Sequence, residues 1–593
     1  MKRTWYLLVV AALFLAACGA QPSPEPTAVS ATEPPPPTTV AEPTKAAETP
    51  SVEVPTAAPS PTTEQIPEST QAGYQGLSLP MDRVDFFAGS GICATCHTQM
   101  VDQAGVDVSF DAVWRSTMMA NAARDPYWQA TVRSEVLTNP EYEEIIEDTC
   151  ATCHMPMARF TDHTEEIAGE ILDEGFADAD HPLHPIAMDG VSCTLCHQIQ
   201  PEGFGEPESF HGHFVINTEF PADERQAYGP FMTGFGMMQI MQSSSGFIPV
   251  QGMHVQQAEL CATCHTVYTP FVDTAGEVAG EFPEQVPYLE WQASSFSKST
   301  PCQGCHMPTA DGGVFLSTVG GHHLRSPVRQ HILVGGNAFM LDMLRAFGED
   351  LDVTASSAQF EKKMAETLDL LQGRAAAVDL ENADSDGSTL AIDVDVRIMT
   401  GHKFPTAFPS RRAWIHLTVQ DASGNVVFES GAVQANGSIA GNDNDLDPSA
   451  YEPHYLVIDS PDQVQIYEGI MGNTDGQPTT TLLAGAAYLK DNRLLPAGFD
   501  KSVAQPDIAV YGTAADDTDF DAGRDRTRFT IGVDGAQGPF TVTAELLYQT
   551  VGYRWVDNLR QHDAPEPARF QEYYEQVSNQ AVVVASATVE VGE

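Results

Sequence analysis

The sequence predicts a multidomain chain in which a mostly helical and loop-rich domain is followed by an antiparallel β-sandwich. Two observations predict this division. Five Cys-x-x-Cys-His motifs lie between residues 86 and 336, a stretch with few runs that alternate like strands. From about residue 388, short runs alternate apolar and polar residues and are separated by Gly, Asp and Asn, which is typical of antiparallel strands joined by turns.

The five motifs match the attachment signature of c-type haem. In that chemistry the two thiols bond to the haem vinyl groups, and the histidine binds iron as the proximal ligand. Structural zinc would need matched sets of four ligands, and a redox dithiol usually occurs once per domain. The sequence therefore predicts five covalently bound haem c groups. The predicted attachment residues are Cys93, Cys96, Cys150, Cys153, Cys193, Cys196, Cys261, Cys264, Cys302 and Cys305, and the predicted proximal ligands are His97, His154, His197, His265 and His306.

The N-terminus has the pattern of a bacterial lipoprotein signal. Lys2 and Arg3 precede an apolar stretch that ends Leu15-Ala-Ala-Cys18 and is too short to span a bilayer as a mature helix. We expect residues 1–17 to be the signal peptide and Cys18, the one cysteine outside the motifs, to carry the lipid. An ordinary signal peptide with an incidental cysteine is the alternative. This places the protein outside the cytoplasm, lipid-anchored to a bacterial membrane on its periplasmic or cell-surface face.

Composition and charge limit the partners. Residues 18–78 are rich in Pro, Thr, Ala and Glu without apolar periodicity, which predicts a disordered tether. The formal net charge is −52, and this excludes nucleic acid and electrostatic docking on anionic lipid. The expected partners are other redox proteins and, through the lipid anchor, a membrane. A cell-surface complex or oligomer is an alternative assembly.

The remaining chain divides into three predicted parts. Residues 79–345 form the pentahaem cytochrome c domain, and residues 385–593 form the β-sandwich. Between them, residues 346–384 form a helical connector, because apolar residues recur at three- and four-residue spacing in residues 337–347 and 360–380.

Three segments outside the motifs carry a family resemblance. The first motif is followed by Trp114-Arg-Ser-Thr-Met118, Asp189-Gly-Val-Ser precedes Cys193, and Gly401-His402-Lys-Phe-Pro405-Thr begins the β region. Over about residues 86–340 the chain resembles exported multihaem cytochromes c related to the tetrahaem cytochromes linked to hydroxylamine oxidation. The resemblance implies short helices and loops around stacked haems. It also implies a distal ligand at Met118, because that family has a histidine there.

Nine further histidines in the haem region supply more distal ligands than five haems require: His163, His181, His184, His211, His213, His254, His322, His323 and His331. His331 precedes Gly335 and Gly336, which allow close approach of the backbone to a flat ring. From the pairs His211/His213 and His322/His323 at most one member each is expected to bind. The predicted distal ligands are Met118, His184, His213, His254, His323 and His331. Packing of Met118 on a haem edge, and His402 reaching back from the β region, are the alternatives. His416, His454 and His562 are expected at the surface.

These features favour a non-catalytic electron carrier, because covalent haems held close together need nothing else to pass electrons. No catalytic residue is predicted. The first alternative is a multihaem oxidoreductase that acts on a small nitrogen or sulfur compound at one open-site haem. No motif ends in the lysine of nitrite reductases, which disfavours that version. The second alternative is a subunit of a cell-surface electron conduit that docks through the β-domain.

Overall fold

The computed structural model describes residues 73–320, 323–577, 579 and 581–592. The predicted signal peptide, Cys18, most of the tether and His322 lie outside the described residues. The described residues belong to one unit, Glu68–Glu593. The predicted boundaries at residues 345 and 384 remain predictions.

Short helices and small sheets alternate through the motif-bearing region. Its elements are α1 Ser90–Ala94, α2 Phe110–Trp114, α3 Pro126–Thr138, α4 Glu143–His154, α5 Pro156–His163, α6 His184–Ala187, α7 Cys193–Cys196, β1 Arg225–Gly229, α8 Phe235–Ser245, β2 Phe247–Gln251, α9 Ala258–Ala262, β3 Val267–Val272, β4 Val278–Gln285, α10 Pro287–Gln292, α11 Cys302–His306, β5 Val314–Phe315, β6 Leu324–Arg325 and α12 Ala338–Ala346. Strands pair as β1 with β2 in parallel, and as β3 with β4 and β5 with β6 in antiparallel fashion.

The second half of the chain contains longer strands. Its elements are α13 Ser357–Arg374, β7 Ala376–Ser385, β8 Thr389–Ile398, β9 Arg412–Gln420, β10 Val426–Ser430, α14 Asp443–Leu446, β11 Val457–Ile458, β12 Ile466–Gly472, β13 Ala487–Asp491, β14 Arg524–Gly532, β15 Phe540–Gln549, α15 Tyr553–Leu559, α16 Pro565–Gln576 and β16 Val582–Val591. One sheet has the order β13-β12-β9-β15-β16, with β10 also paired to β9. The other has the order β11-β14-β8-β7.

The predicted fold class, a mostly helical haem domain followed by an antiparallel β-sandwich, is wrong. The motif-bearing region contains six strands in three two-stranded sheets, and no separate helical haem domain stands out. In the second half β11 runs parallel to β14, and within the described residues three α-helices and three short 3-10 helices lie among the strands. The sequence did not predict β2 and β3, because these strands are short, carry Pro249 and Pro270, and do not alternate in burial. The periodic run expected to be helical as far as residue 380 ends at Arg374, and β7 follows.

Alternation of apolar and polar residues explains the long strands. On β8, Leu390, Ile392 and Val394 are buried in the same core as Leu417 and Val419 of β9, so the two larger sheets share one apolar interior. Helix α13 begins with a capping box, in which Ser356 and Gln359 each accept the other's backbone N–H. Among the residues that the structure describes, no helix is both long and apolar enough to cross a membrane.

Candidate haem sites

All five motifs face one apolar cavity. Its volume is about 1300 Å³, and its lining includes every cysteine and every histidine of the five motifs. Each Cys-x-x-Cys segment lies in or runs into a short helical turn, namely α1, α4, α7, α9 or α11. Residues three and four apart are neighbours on a helix surface, so the first thiol of each motif lies beside both the second thiol and the histidine. The residues present therefore fit five flat, apolar groups held from their edges.

The thiols bring particular motifs together. Three pairs of thiols lie close enough to shift each other's pKa: Cys93 and Cys193, Cys153 and Cys264, and Cys261 and Cys302. These contacts place motif 1 beside motif 3, motif 2 beside motif 4, and motif 4 beside motif 5. Burial raises the pKa of the Cys196 thiol to about 12, and the neighbouring Cys264 adds to this effect, which links motif 3 to motif 4. The ten described cysteines are all free thiols, available for attachment.

The motif histidines are set up to bind a metal through Nε2. Burial lowers the pKa of His154 and His265 to about 4 and lowers those of His97 and His197, so these rings are neutral at pH 7. A backbone carbonyl that accepts from Nδ1 selects the tautomer in which Nε2 carries a lone pair. Four such contacts are present: His97 with Leu316 at 2.6 Å, His154 with Ala122 at 3.0 Å, His197 with Tyr228 at 2.5 Å and His306 with Val334 at 2.6 Å.

Two motif histidines face a second imidazole across the cavity. The ring centres of His197 and His331 are 6.2 Å apart at 23° between planes, and those of His306 and His402 are 6.2 Å apart at 15°. Metal–imidazole bonds are about 2.0–2.1 Å long, which puts the centres of two rings on opposite sides of one ion roughly 6 Å apart. Both spacings therefore fit a single iron between the rings.

The two facing residues also present the correct nitrogen. Nδ1 of His331 contacts the Arg329 carbonyl at 3.2 Å, and Nδ1 of His402 contacts the Lys403 carbonyl at 2.8 Å. Each therefore keeps Nε2 free. His402 was only an alternative in the sequence argument, because nothing local shows that it returns to the cavity. The available signal was its place in the Gly-His-Lys-Phe-Pro segment.

The other predicted distal ligands are placed differently. Met118 and His323 line the cavity, whereas His184, His213 and His254 are not among its lining residues. Nδ1 of His184 contacts the Phe176 carbonyl at 3.0 Å, so its Nε2 remains free. These assignments remain predictions.

His254 has a competing role. Its Nε2 hydrogen bonds to the Ile199 carbonyl at 2.8 Å, and its ring is buried against Gly252, Phe204 and Tyr228. Binding through Nε2 would require that bond to break in a buried position. The geometry favours a structural role for this histidine.

His454 was expected at the surface and is instead 5% exposed. Its Nε2 lies 3.0 Å from Asp517 and 3.6 Å from Asp525. Its Nδ1 accepts from the side-chain amides of Gln465 and Asn492. Each amide is oriented by its own backbone hydrogen bond. Nε2 therefore carries the proton and donates a hydrogen bond to Asp517 Oδ2. A metal-binding histidine normally donates from its other nitrogen, so this cluster is a hydrogen-bond network rather than a metal site.

No family model and no curated protein matches the chain. A solved structure, a penta-heme cytochrome c552 from Thermochromatium tepidum, is similar at 16% identity with a TM-score of 0.45, covering 86% of this chain and 100% of that chain.

Proposed function

We propose that this protein is an exported pentahaem c-type cytochrome that carries electrons between redox partners. The single observation that supports this most strongly is the convergence of all ten motif thiols and all five motif histidines on one apolar cavity. When bound, haem c supplies one-electron chemistry. The chain's own part is to attach it through the thiols, to bind iron through Nε2, and to exclude water with the apolar lining.

The thiol contacts support a continuous path for electrons. They connect motif 1 to motif 3, and motif 4 to motifs 2 and 5. The proximity of Cys196 to Cys264 joins these two groups. A carrier with five neighbouring sites can accept an electron at one surface and release it at another. A lipid on Cys18 and the tether of residues 18–78 would keep this path near a membrane, outside the cytoplasm.

The acidic surface favours partners of opposite charge. With 81 acidic and 29 basic residues, the chain attracts basic redox proteins at low ionic strength and repels nucleic acid. We propose a small basic cytochrome as the class of partner. Its rate of electron exchange with this protein should fall steeply as salt rises, since screening shortens the reach of charge to about 8 Å at physiological salt.

The test is to produce the full chain in a host that attaches haem c and to measure its intact mass and its reoxidation. We expect a mass excess of five haems and rapid electron transfer to a basic cytochrome. Four haems or fewer would contradict the pentahaem assignment. Five haems with no measurable exchange with any cytochrome or electrode would contradict the carrier role.

A second candidate is an oxidoreductase with one open haem. In the part of the chain that the structure describes, a second imidazole lies 6.2 Å from the ring of His197 and from that of His306, and no such ring pair involves His97, His154 or His265. Low-temperature EPR of the oxidised protein separates the two functions. Five low-spin signals support the carrier. One high-spin signal together with rapid turnover of nitrite, hydroxylamine or sulfite supports the enzyme.

A further inference from the structure

Lys403, the residue after His402, is held at three separate atoms. Its backbone N–H donates to Glu290 Oε2 at 3.1 Å, and its carbonyl accepts from His402 Nδ1 at 2.8 Å. Its Nζ donates to Asp491 Oδ2 at 2.7 Å. The backbone next to His402 is therefore held through the peptide units on both sides of the Lys403 Cα.

These contacts belong to a buried charge cluster, defined here as Glu290, Lys403, Asp491 and Arg493. Their exposed fractions are 0%, 0%, 1% and 4%. Arg493 pairs with Asp491 through Nε at 2.9 Å and Nη2 at 2.8 Å, and its Nη1 lies 2.9 Å from Glu290 Oε1. Two cations and two anions balance, so the cluster introduces no net charge beside the cavity.

The cluster joins the two sides of one candidate iron site. Glu290 lies on α10, and its neighbour Trp291 donates from Nε1 to the Thr300 carbonyl at 2.9 Å, just before the motif that ends in His306. Glu290 itself holds the segment of His402, through Lys403 N and through Thr406 Oγ1 at 2.5 Å. The short helix α10 therefore contacts both the segment that precedes the His306 motif and the segment that carries His402.

The position of Gly401 reinforces this arrangement. A Cβ at this residue would lie 3.4 Å from Phe296 and 3.5 Å from Trp291, so the chain packs closely onto α10 and the turn after it. On the other side, Phe404 and Leu494 exchange backbone hydrogen bonds, each at 2.9 Å. Residues 401–404 therefore have little freedom to move away from His306.

Stability alone does not explain the charges. A buried ion cluster is often no more stabilising than apolar residues of the same volume, and its best-attested use is to specify one arrangement. The neighbouring Lys490–Glu468 pair, 3.0 Å apart and similarly buried, contacts neither histidine of this site. A substitution in this pair therefore serves as a control for the same substitution in the charge cluster.

We propose that the Glu290–Lys403–Asp491–Arg493 cluster is a positioning device that holds His402 Nε2 opposite His306 Nε2, keeping the fifth haem six-coordinate and setting its potential. The proposal rests on the proposed function, since it requires a haem at motif 5. Glu290 and Lys403 are positioning residues, and His402 is the ligand that they place.

The test uses the full-length haem-loaded protein and four variants: His402→Ala, Lys403→Met, Lys403→Arg and the matched control Lys490→Met. The readouts are haem count by mass, low-temperature EPR, cyanide binding and potentiometric titration. We expect His402→Ala and Lys403→Met to lose one of five low-spin signals and to bind one cyanide. Lys403→Arg should restore the low-spin signal in part, and Lys490→Met should keep the wild-type spectrum.

The outcomes distinguish failure of the proposed function from failure of the positioning role. Wild type with fewer than five haems contradicts the proposed function. Five haems with an unchanged spectrum in His402→Ala contradict His402 as the ligand and so overturn the proposal. An unchanged spectrum in Lys403→Met, or loss of a low-spin signal in both lysine-to-methionine variants, overturns the positioning role. If Lys403→Met does not accumulate, Glu290→Gln replaces it. That variant should shift the potential of one haem, and five unshifted potentials would contradict the proposal.

Discussion

The imidazole rings of His197 and His331 lie 6.2 Å apart, and each uses Nδ1 on a backbone carbonyl, so that both Nε2 atoms are free. Lys363, which is 3% exposed on α13, donates from Nζ to the carbonyl of Ile332 at 2.8 Å and so anchors the segment that carries His331. A helix from outside the motif region therefore supports one side of this candidate iron site.

The first prediction is that His331→Ala opens the third haem. The iron bound by His197 would lose its sixth ligand, become high-spin and bind cyanide. His254→Ala is the matched control, because its Nε2 is committed to the Ile199 carbonyl. EPR and cyanide titration of both variants provide the measurement. A low-spin spectrum in His331→Ala, or a new high-spin signal in His254→Ala, would show that these two roles are assigned wrongly.

The second prediction concerns Met118, which is half-buried and lines the cavity. If its thioether binds the first haem, Met118→His should lower one midpoint potential, since a thioether raises the potential relative to a second histidine. The near-infrared methionine–iron charge-transfer band should disappear. Met119→Leu serves as the control. Retention of both the band and the potential in Met118→His would mean that Met118 only packs.

The third prediction places the anchor at Cys18. Cys18→Ala should either release the haem-loaded protein into the soluble fraction or leave an unprocessed precursor, because no thiol remains for the lipid. Fractionation and intact mass measure both results. A Cys18→Ser variant should behave identically. Membrane retention of either variant at the mature mass would contradict the anchor.

The fourth prediction follows from His416, whose ring lies 3.0 Å from both Glu429 and Glu545. Burial alone would lower the pKa of His416, but the two carboxylates raise it above its usual 6.5. A raised folded-state pKa means that the ion pairs stabilise fully below about pH 6.5 and that this stabilisation is lost as pH rises through the higher value.

His416→Gln should therefore reduce the free energy of unfolding at pH 5.5 by about 1 kcal/mol or less, since both carboxylates are partly exposed. At pH 9 the difference should nearly vanish. Denaturant unfolding at the two pH values measures it, and Gln420→Ala, at a partly buried position of the same strand, controls for local packing. A larger loss at pH 9 than at pH 5.5 would reverse the predicted sign.

Much of the candidate site was predictable because haem attachment depends on neighbours in sequence. In Cys302-Gln-Gly-Cys305-His306, one helical turn brings both thiols and the ring to one face, and no distant residue is needed. The same local logic identified β8, β9, β15 and β16, whose alternating side chains reflect burial on one face.

Tertiary structure decided the rest. Strands β2 and β3 each pair with a neighbouring strand of the motif-bearing region, and their short, proline-containing sequences do not alternate in burial. The sequence by itself determined where haem can be attached, since that chemistry needs residues only three and four positions apart. Which histidine faces which motif was decided only by the fold, because His402 reaches His306 through long-range contacts among Glu290, Lys403 and Asp491, which no local pattern records.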